Sequence, residues 1–260
     1  MKKRLSQNFL YDPSILKRII QVARVSPEDT VVEIGPGPGR LTVFLAERAK
    51  EVVAIELDRA LYEALKEKTA QFANITLIHG DALKFNYAGI GPFKVVANIP
   101  YHITTPLIFK LIEHRENLIS MTLTVQKEVA ERIAAGPGGK DYGVLSLSVQ
   151  YYGRPKLKFI IPKGAFRPVP RVDSACIHIE VYKGPPVNLK DEAFFFRLIR
   201  TAFSTRRKTI LNALKPLTAN GPWEKPAKLL SEAGIDPTRR PETLSMEEFA
   251  LLANQYRGGS

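Results

Sequence analysis

Four short stretches carry groups whose types and order could do chemistry together. In VVEIGPGPGRLT (31–42), Gly35, Gly37 and Gly39 fall between an apolar run and a segment with helical spacing. Glycines there allow a tight turn and let the main chain approach a ligand closely. In VVAIELD (52–58), Glu56 ends the next apolar run, 21 positions after Gly35, placed to accept hydrogen bonds from ribose hydroxyls. Asp58 fits an ordinary helix start better than Glu56 does. In HGDAL (79–83), Asp81 follows a third run, where a carboxylate can accept from an adenine amino group or cap the next helix. A dinucleotide fingerprint would need glycine at position 40, but Arg40 stands there. The G-x-G-x-G spacing favours an adenosine cofactor without a pyrophosphate, such as S-adenosylmethionine, although spacing alone leaves a nicotinamide dehydrogenase open.

NIPYHITTPLI (98–108) points to a reaction type. Asn98 offers an amide oxygen, Pro100 fixes the backbone, and Tyr101 offers a flat ring on which a base can stack. An exocyclic base amine is a poor nucleophile because its lone pair is delocalised into the ring. Two acceptors aimed at its N–H bonds, Asn98 and a backbone carbonyl at Ile99 or Pro100, would favour a more tetrahedral nitrogen and align it with a methyl sulfonium. No strong base is needed, because the alkylated nitrogen becomes acidic and can lose its proton to water. An Asn-led turn with a buried tyrosine would have the same tetrapeptide.

The elements that must position these groups alternate. Strands are expected at 31–34, 52–55, 75–78, 94–97 and 119–125, and helices at 41–49, 59–72, 106–113 and 127–134. Such alternation predicts an α/β fold with a mostly parallel sheet. Residues 142–152 are ambiguous between strand and helix. Runs at 157–161 and 175–181 with no helix between them predict an antiparallel pair at the sheet edge. After KGPPVNLKD (183–191) the chain reads as wholly helical, giving domains at 1–184 and 187–257.

Lys and Arg number 38 against 26 Asp and Glu, a net charge of +12. The excess is clustered. Residues 154–171 and 197–215 each hold six cations and no acid, and Lys2, Lys3 and Arg4 open the chain. Cationic islands on a nearly neutral body predict a nucleic-acid partner rather than a membrane. No apolar run is long enough to span a bilayer or to serve as a secretory signal, so a cytosolic protein is expected. A single cysteine, Cys176, excludes internal disulfides and multi-thiolate zinc sites, and in an alternating strand it reads as a packed thiol. The four histidines lack ligand spacing, so no metal is expected.

The ordered set QNFL (7–10), EIGPGPGRLT (33–42), IELD (55–58), GDAL (80–83), NIPYHITTPLI (98–108), QKEVAERI (126–133) and FRPVPRVDSA (166–175) resembles the small-subunit ribosomal RNA adenine dimethyltransferases. The likeness covers most of residues 4–182 and extends more loosely into the helical tail. Where some members read Asn-Leu-Pro-Tyr-Asn-Ile-Ser, residues 98–104 differ conservatively, which leaves His102 a residue of the surface or behind the site rather than a base. The resemblance implies a class I S-adenosylmethionine-dependent methyltransferase, with a Rossmann-like seven-stranded sheet and a small all-helical C-terminal domain. It implies dimethylation of N6 on two adjacent adenosines in a hairpin near the 3′ end of 16S rRNA, within a pre-assembled 30S particle; nothing in the sequence suggests an obligate dimer, so a monomer is expected. It places Asn8, Leu10, Gly35, Gly37, Glu56, Asp81 and Asn98 on the cofactor, Tyr101 on one face of a flipped adenine and Phe166 on the other. Phe166 could equally be a core residue. Arg167, Arg171, Arg206, Arg207 and Lys208, with Lys2, Lys3 and Arg4, would meet phosphates. The rival readings are a 23S rRNA adenine dimethyltransferase of the antibiotic-resistance type and a non-catalytic RNA-binding assembly factor.

Overall fold

Continuous runs of β-branched and aliphatic residues become strands covered on both faces, as parallel sheets require. The computed structural model describes residues 8–205, 207–218 and 226–255. Lys2, Lys3, Arg4 and Arg206 therefore lie outside the described residues.

The strands are β1 (Phe9–Leu10), β2 (Thr30–Ile34), β3 (Glu51–Glu56), β4 (Ile75–His79), β5 (Phe93–Asn98), β6 (Leu118–Gln126), β7 (Gly153–Ile161), β8 (Phe166–Arg167) and β9 (Ser174–Val181). The helices are α1 (Pro13–Ala23), α2 (Arg40–Ala46), α3 (Arg59–Thr69), α4 (Thr104–Ile112), α5 (Lys127–Ala134), α6 (Val144–Gln150), α7 (Glu192–Phe203), α8 (Ile210–Leu214), α9 (Pro226–Glu232) and α10 (Met246–Gln255). One seven-stranded sheet runs in the order β4-β3-β2-β5-β6-β9-β7. Neighbours from β4 to β6 are parallel, whereas β9 is antiparallel to both β6 and β7. The expected antiparallel edge pair is thus present. The strand order reverses between β2 and β5, which opens a crevice beyond Ile34 and Asn98, where open α/β sheets bind ligands.

Two features were not foreseen. β1 and β8 form a separate antiparallel pair, Leu10 opposite Phe166. Helix α1 starts at an Asp12 cap whose side chain accepts from the Ser14 N–H at 2.8 Å, and it buries Ile15, Leu16, Ile19, Ile20 and Ala23.

The chain divides into two compact units, Met1–Ala130 with Gly153–Lys183, and Glu131–Tyr152 with Gly184–Ser260. The domain boundaries read from the sequence differ from this division in one excursion. Residues 131–152, which contain α6, group with the late helices. The reason is burial: Tyr142, Leu147 and Tyr151 share a core with Phe194, Phe195, Leu198 and Ile199 of α7.

Candidate active site

The glycine turn joins β2 to α2 with Gly35, Gly37 and Gly39 all at positive φ, +65°, +55° and +73°. Gly37 and Gly39 are both closed in, Gly39 with a Cβ position 2.3 Å from Leu65. A Cβ on Gly37 would fall 2.5 Å from the Phe9 ring, and the Gly37 N–H donates to Glu56 Oε2 at 3.0 Å. Glu56 Oε1 accepts from the Asp58 N–H at 2.9 Å. The carboxylate, 1% exposed, therefore ties the turn to the end of β3 while its remaining lone pairs can still accept hydroxyl protons. Burial raises the Glu56 pKa, and the Asp58 and Gly37 N–H groups pull against it. Asp58 caps α3, accepting from the N–H groups of Ala60 and Leu61. Asp81 Oδ1 accepts from the Leu83 N–H at 2.9 Å across a turn at 82–84, and no helix starts there for it to cap; Asn86 caps the next helical turn.

Glu33 was not singled out from the sequence. It is buried inside β2, with Oε2 lacking any hydrogen-bond partner. Burial pushes its pKa up to about 8; the Thr42 hydroxyl lowers it and the Glu56 charge adds to the rise. The legible signal was a lone acid inside a run otherwise suited to a two-sided buried strand.

Asn98 ends β5 and lines a pocket with Asn8, Phe9, Gly35, Ile99, Pro100 and Tyr101. Its Nδ2 donates to the Asn8 carbonyl at 2.9 Å, which leaves Oδ1 as an acceptor. The Pro100 carbonyl accepts from the Ile103 N–H at 3.1 Å and keeps its second lone pair. The Tyr101 hydroxyl is 2.7 Å from Ser174 Oγ. Burial raises the Tyr101 pKa, so the phenol stays protonated at neutral pH. The structure thus brings together an amide acceptor, a flat ring and the head of the glycine turn.

A family-level profile for ribosomal RNA adenine dimethylase matches residues 1–257. The chain belongs to the ribosomal RNA adenine dimethylase family. It is 47% identical to "Ribosomal RNA small subunit methyltransferase A" of Geobacillus sp. (strain WCH70), over 97% of this chain and 90% of that one. It is 48% identical to the protein of the same name in Moorella thermoacetica, over 97% and 91%. A solved dimethyladenosine transferase from Plasmodium falciparum superposes with a TM-score of 0.80 at 29% identity, covering 94% of this chain and 95% of that one. The 23S rRNA methyltransferase ErmE superposes at 0.76 with 26% identity, over 94% and 98%. The protein is an S-adenosylmethionine-dependent methyltransferase with the class I fold. The crevice suits that cofactor: Glu56 keeps acceptor lone pairs that ribose hydroxyls could meet, beside a glycine turn whose positive φ values bring bare main chain to its edge.

Two residues of the expected site have buried side chains. Phe166 is 0% exposed and packs in the core with Leu10, Leu16, Ile19 and Cys176. In β8 it alternates with exposed Arg167, so pairing with β1 turns its ring into the core and away from the pocket lining. This is the core-residue alternative. Leu10 is likewise buried, so its side chain does not face the pocket. Arg171, Arg207 and Lys208 are exposed, and exposed Arg167 donates to the carbonyls of Gly164 and Phe166 at 3.0 and 2.9 Å. Cys176 is buried and its thiol is pushed up to about 12. Among the described residues no cluster of His, Cys, Asp and Glu could hold a metal, and no helix is long and apolar enough to cross a membrane.

Proposed function

We propose that this enzyme dimethylates N6 of two adjacent adenosines in a hairpin near the 3′ end of 16S rRNA, acting as a cytosolic monomer on a pre-assembled 30S particle. The small-subunit assignment rests on relatives of that name at 44–48% identity over nearly the whole chain. The catalytic assignment rests on one observation, the Asn98 amide held with its nitrogen on the Asn8 carbonyl.

Glu56, Gly35, Gly37, Asp81 and Asn8 hold the cofactor in this reading. When bound, S-adenosylmethionine supplies a methyl group on a positively charged sulfur. Asn98 Oδ1 and the Pro100 or Ile99 carbonyl accept the two N–H bonds of the target amine, turning its lone pair toward that carbon. Tyr101 stacks on the flipped base, and water takes the proton released on alkylation. Arg167, Arg171, Arg207 and Lys208 hold RNA phosphates, which position the substrate without reading its sequence.

The test is mass spectrometry of 16S rRNA after particles lacking the modification are treated with enzyme and labelled cofactor. Label on two neighbouring adenosines, lost with Asn98→Ala, is expected. Removing the aligning acceptor should cost about 10²–10³ in kcat. Label on 23S rRNA instead would move the enzyme to the other branch of the fold, and cofactor binding without transfer would make it an assembly factor.

A further inference from the structure

Ser174 lies where three strands meet. In the sheet register it stands opposite Gln126 of β6 on one side and Ile161 of β7 on the other, and it is 0% exposed. Its neighbour Asp173 is anchored twice: its carbonyl accepts from the Lys127 N–H at 3.0 Å, and its carboxylate accepts from the Lys163 N–H at 2.9 Å. The serine hydroxyl is therefore carried on backbone that cannot shift without disturbing three elements. It forms a 2.7 Å hydrogen bond with the phenol of half-buried Tyr101.

The Tyr101 ring is thus held at both ends. Its backbone is set by the turn after Pro100, closed by the Ile103 N–H on the Pro100 carbonyl at 3.1 Å. Its far end is set by Ser174. A phenylalanine at 101 would keep the stacking face and lose the second point of attachment. A free tyrosine on the pocket wall would have to give up rotamer freedom each time a base stacked on it, and ordering a side chain in advance removes that cost.

We propose that Ser174 is a positioning residue for methyl transfer, fixing the plane of the Tyr101 ring through its hydroxyl. The inference rests on the reading of Tyr101 as the base-stacking residue. It predicts a split between kinetic constants. Particle binding comes mainly from phosphate contacts, so KM should hold within about twofold. Losing one pre-ordered ring should lower kcat by about two- to tenfold.

The test is a cycle of Ser174→Ala, Tyr101→Phe and the double substitution, assayed by methyl transfer to small-subunit particles, with thermal unfolding and calorimetric cofactor affinity measured alongside. Both single variants should lose kcat at unchanged KM and cofactor affinity. The double variant should be no worse than Tyr101→Phe alone, because both changes cut one link. Losses that multiply would show that Ser174 acts through the strand junction and overturn the proposal, as would full kcat in Tyr101→Phe. If Ser174→Ala does not fold, Ser174→Cys preserves volume with a weak hydrogen-bonding group and should show the same kcat loss; full activity there overturns the proposal too. Tyr101→Ala separates the layers. Should it leave transfer intact, base stacking at 101 is itself wrong; should it abolish transfer while the serine variants are normal, only the role of Ser174 falls.

Discussion

Glu33 makes the site's electrostatics measurable as stability. Its carboxyl is fully buried, one oxygen has no partner, and its pKa stands at about 8 against an ordinary 4.5. Between those values the unfolded chain has released a proton that the folded chain keeps. The unfolded state then binds fewer protons, so stability falls as pH rises, by about 1.4 kcal/mol per pH unit. From pH 5.5 to 7.5 this amounts to about 2–3 kcal/mol from Glu33. Glu33→Gln keeps the shape and removes the proton equilibrium. Its advantage over the parent protein should therefore widen by about 2–3 kcal/mol across that interval, which urea unfolding at the two pH values reads directly. Glu56, also raised by burial, leaves some slope of the same sign in the variant. An advantage that is the same at both pH values would refute the assignment of a neutral buried carboxyl at position 33.

Three further outcomes follow from the geometry. Gly37→Ala forces a non-glycine residue to φ +55° and puts its Cβ 2.5 Å from the Phe9 ring. The backbone alone should cost roughly 1–2 kcal/mol in chemical unfolding. Adding Phe9→Leu should recover the steric part and not the backbone part; recovery of all or none would contradict this account. Replacing Arg171, Arg207 and Lys208 together by alanine should flatten the slope of log affinity for rRNA against log salt by about 2–3, with cofactor affinity unchanged. An unchanged slope would mean these exposed cations meet no phosphate. Cys176, buried with its thiol pushed up to about 12, should resist a thiol reagent in the native protein and react at the rate of unfolding. Fast native labelling would refute its burial.

The parts of the fold that were legible are those where one local pattern has one outcome. Val52 to Ile55 is a continuous apolar run, and Val31, Val32 and Ile34 form one broken only by Glu33, as a strand buried on both faces needs. The antiparallel edge pair followed from two strands with no helix between them. What stayed illegible depends on contacts distant in sequence. VLSLSVQ (144–150) alternates like a strand yet is helical. Gln150 donates to the carbonyls of Ile133 and Ala135, Ser146 bonds to that of Arg132, and Leu147 joins the helical core. Phe166 reads as a lid from its motif, but pairing with Leu10 decides which way its ring turns. Asp12-Pro13 followed by Ile15, Leu16, Ile19 and Ile20 did carry a helix signal, and α1 could have been read from it. In the site, Glu56, Gly35, Asn98 and Tyr101 announce themselves by position after strands. Ser174 does not, because its bond to Tyr101 spans 73 residues.

That last distinction bears on how an amide can serve catalysis here at all. A carboxamide has one end that accepts and one that donates, and presenting the wrong end to an amine would set N–H against N–H. A backbone carbonyl can only accept, so the 2.9 Å bond from Asn98 Nδ2 to Asn8 fixes which end is which and turns Oδ1 to the other side. An aspartate at 98 would set an oxygen against that carbonyl and lose the arrangement, however conservative its size. The partner carbonyl comes from 90 residues earlier in the chain, just before Phe9, which packs on Gly37, and Leu10, which pairs with β8. One short segment therefore packs on the glycine turn and, in the proposed reaction, selects the end of the amide offered to the amine. Anything that loosens β1 from β8 should damage cofactor binding and amine alignment together, although no side chain of that strand pair performs chemistry.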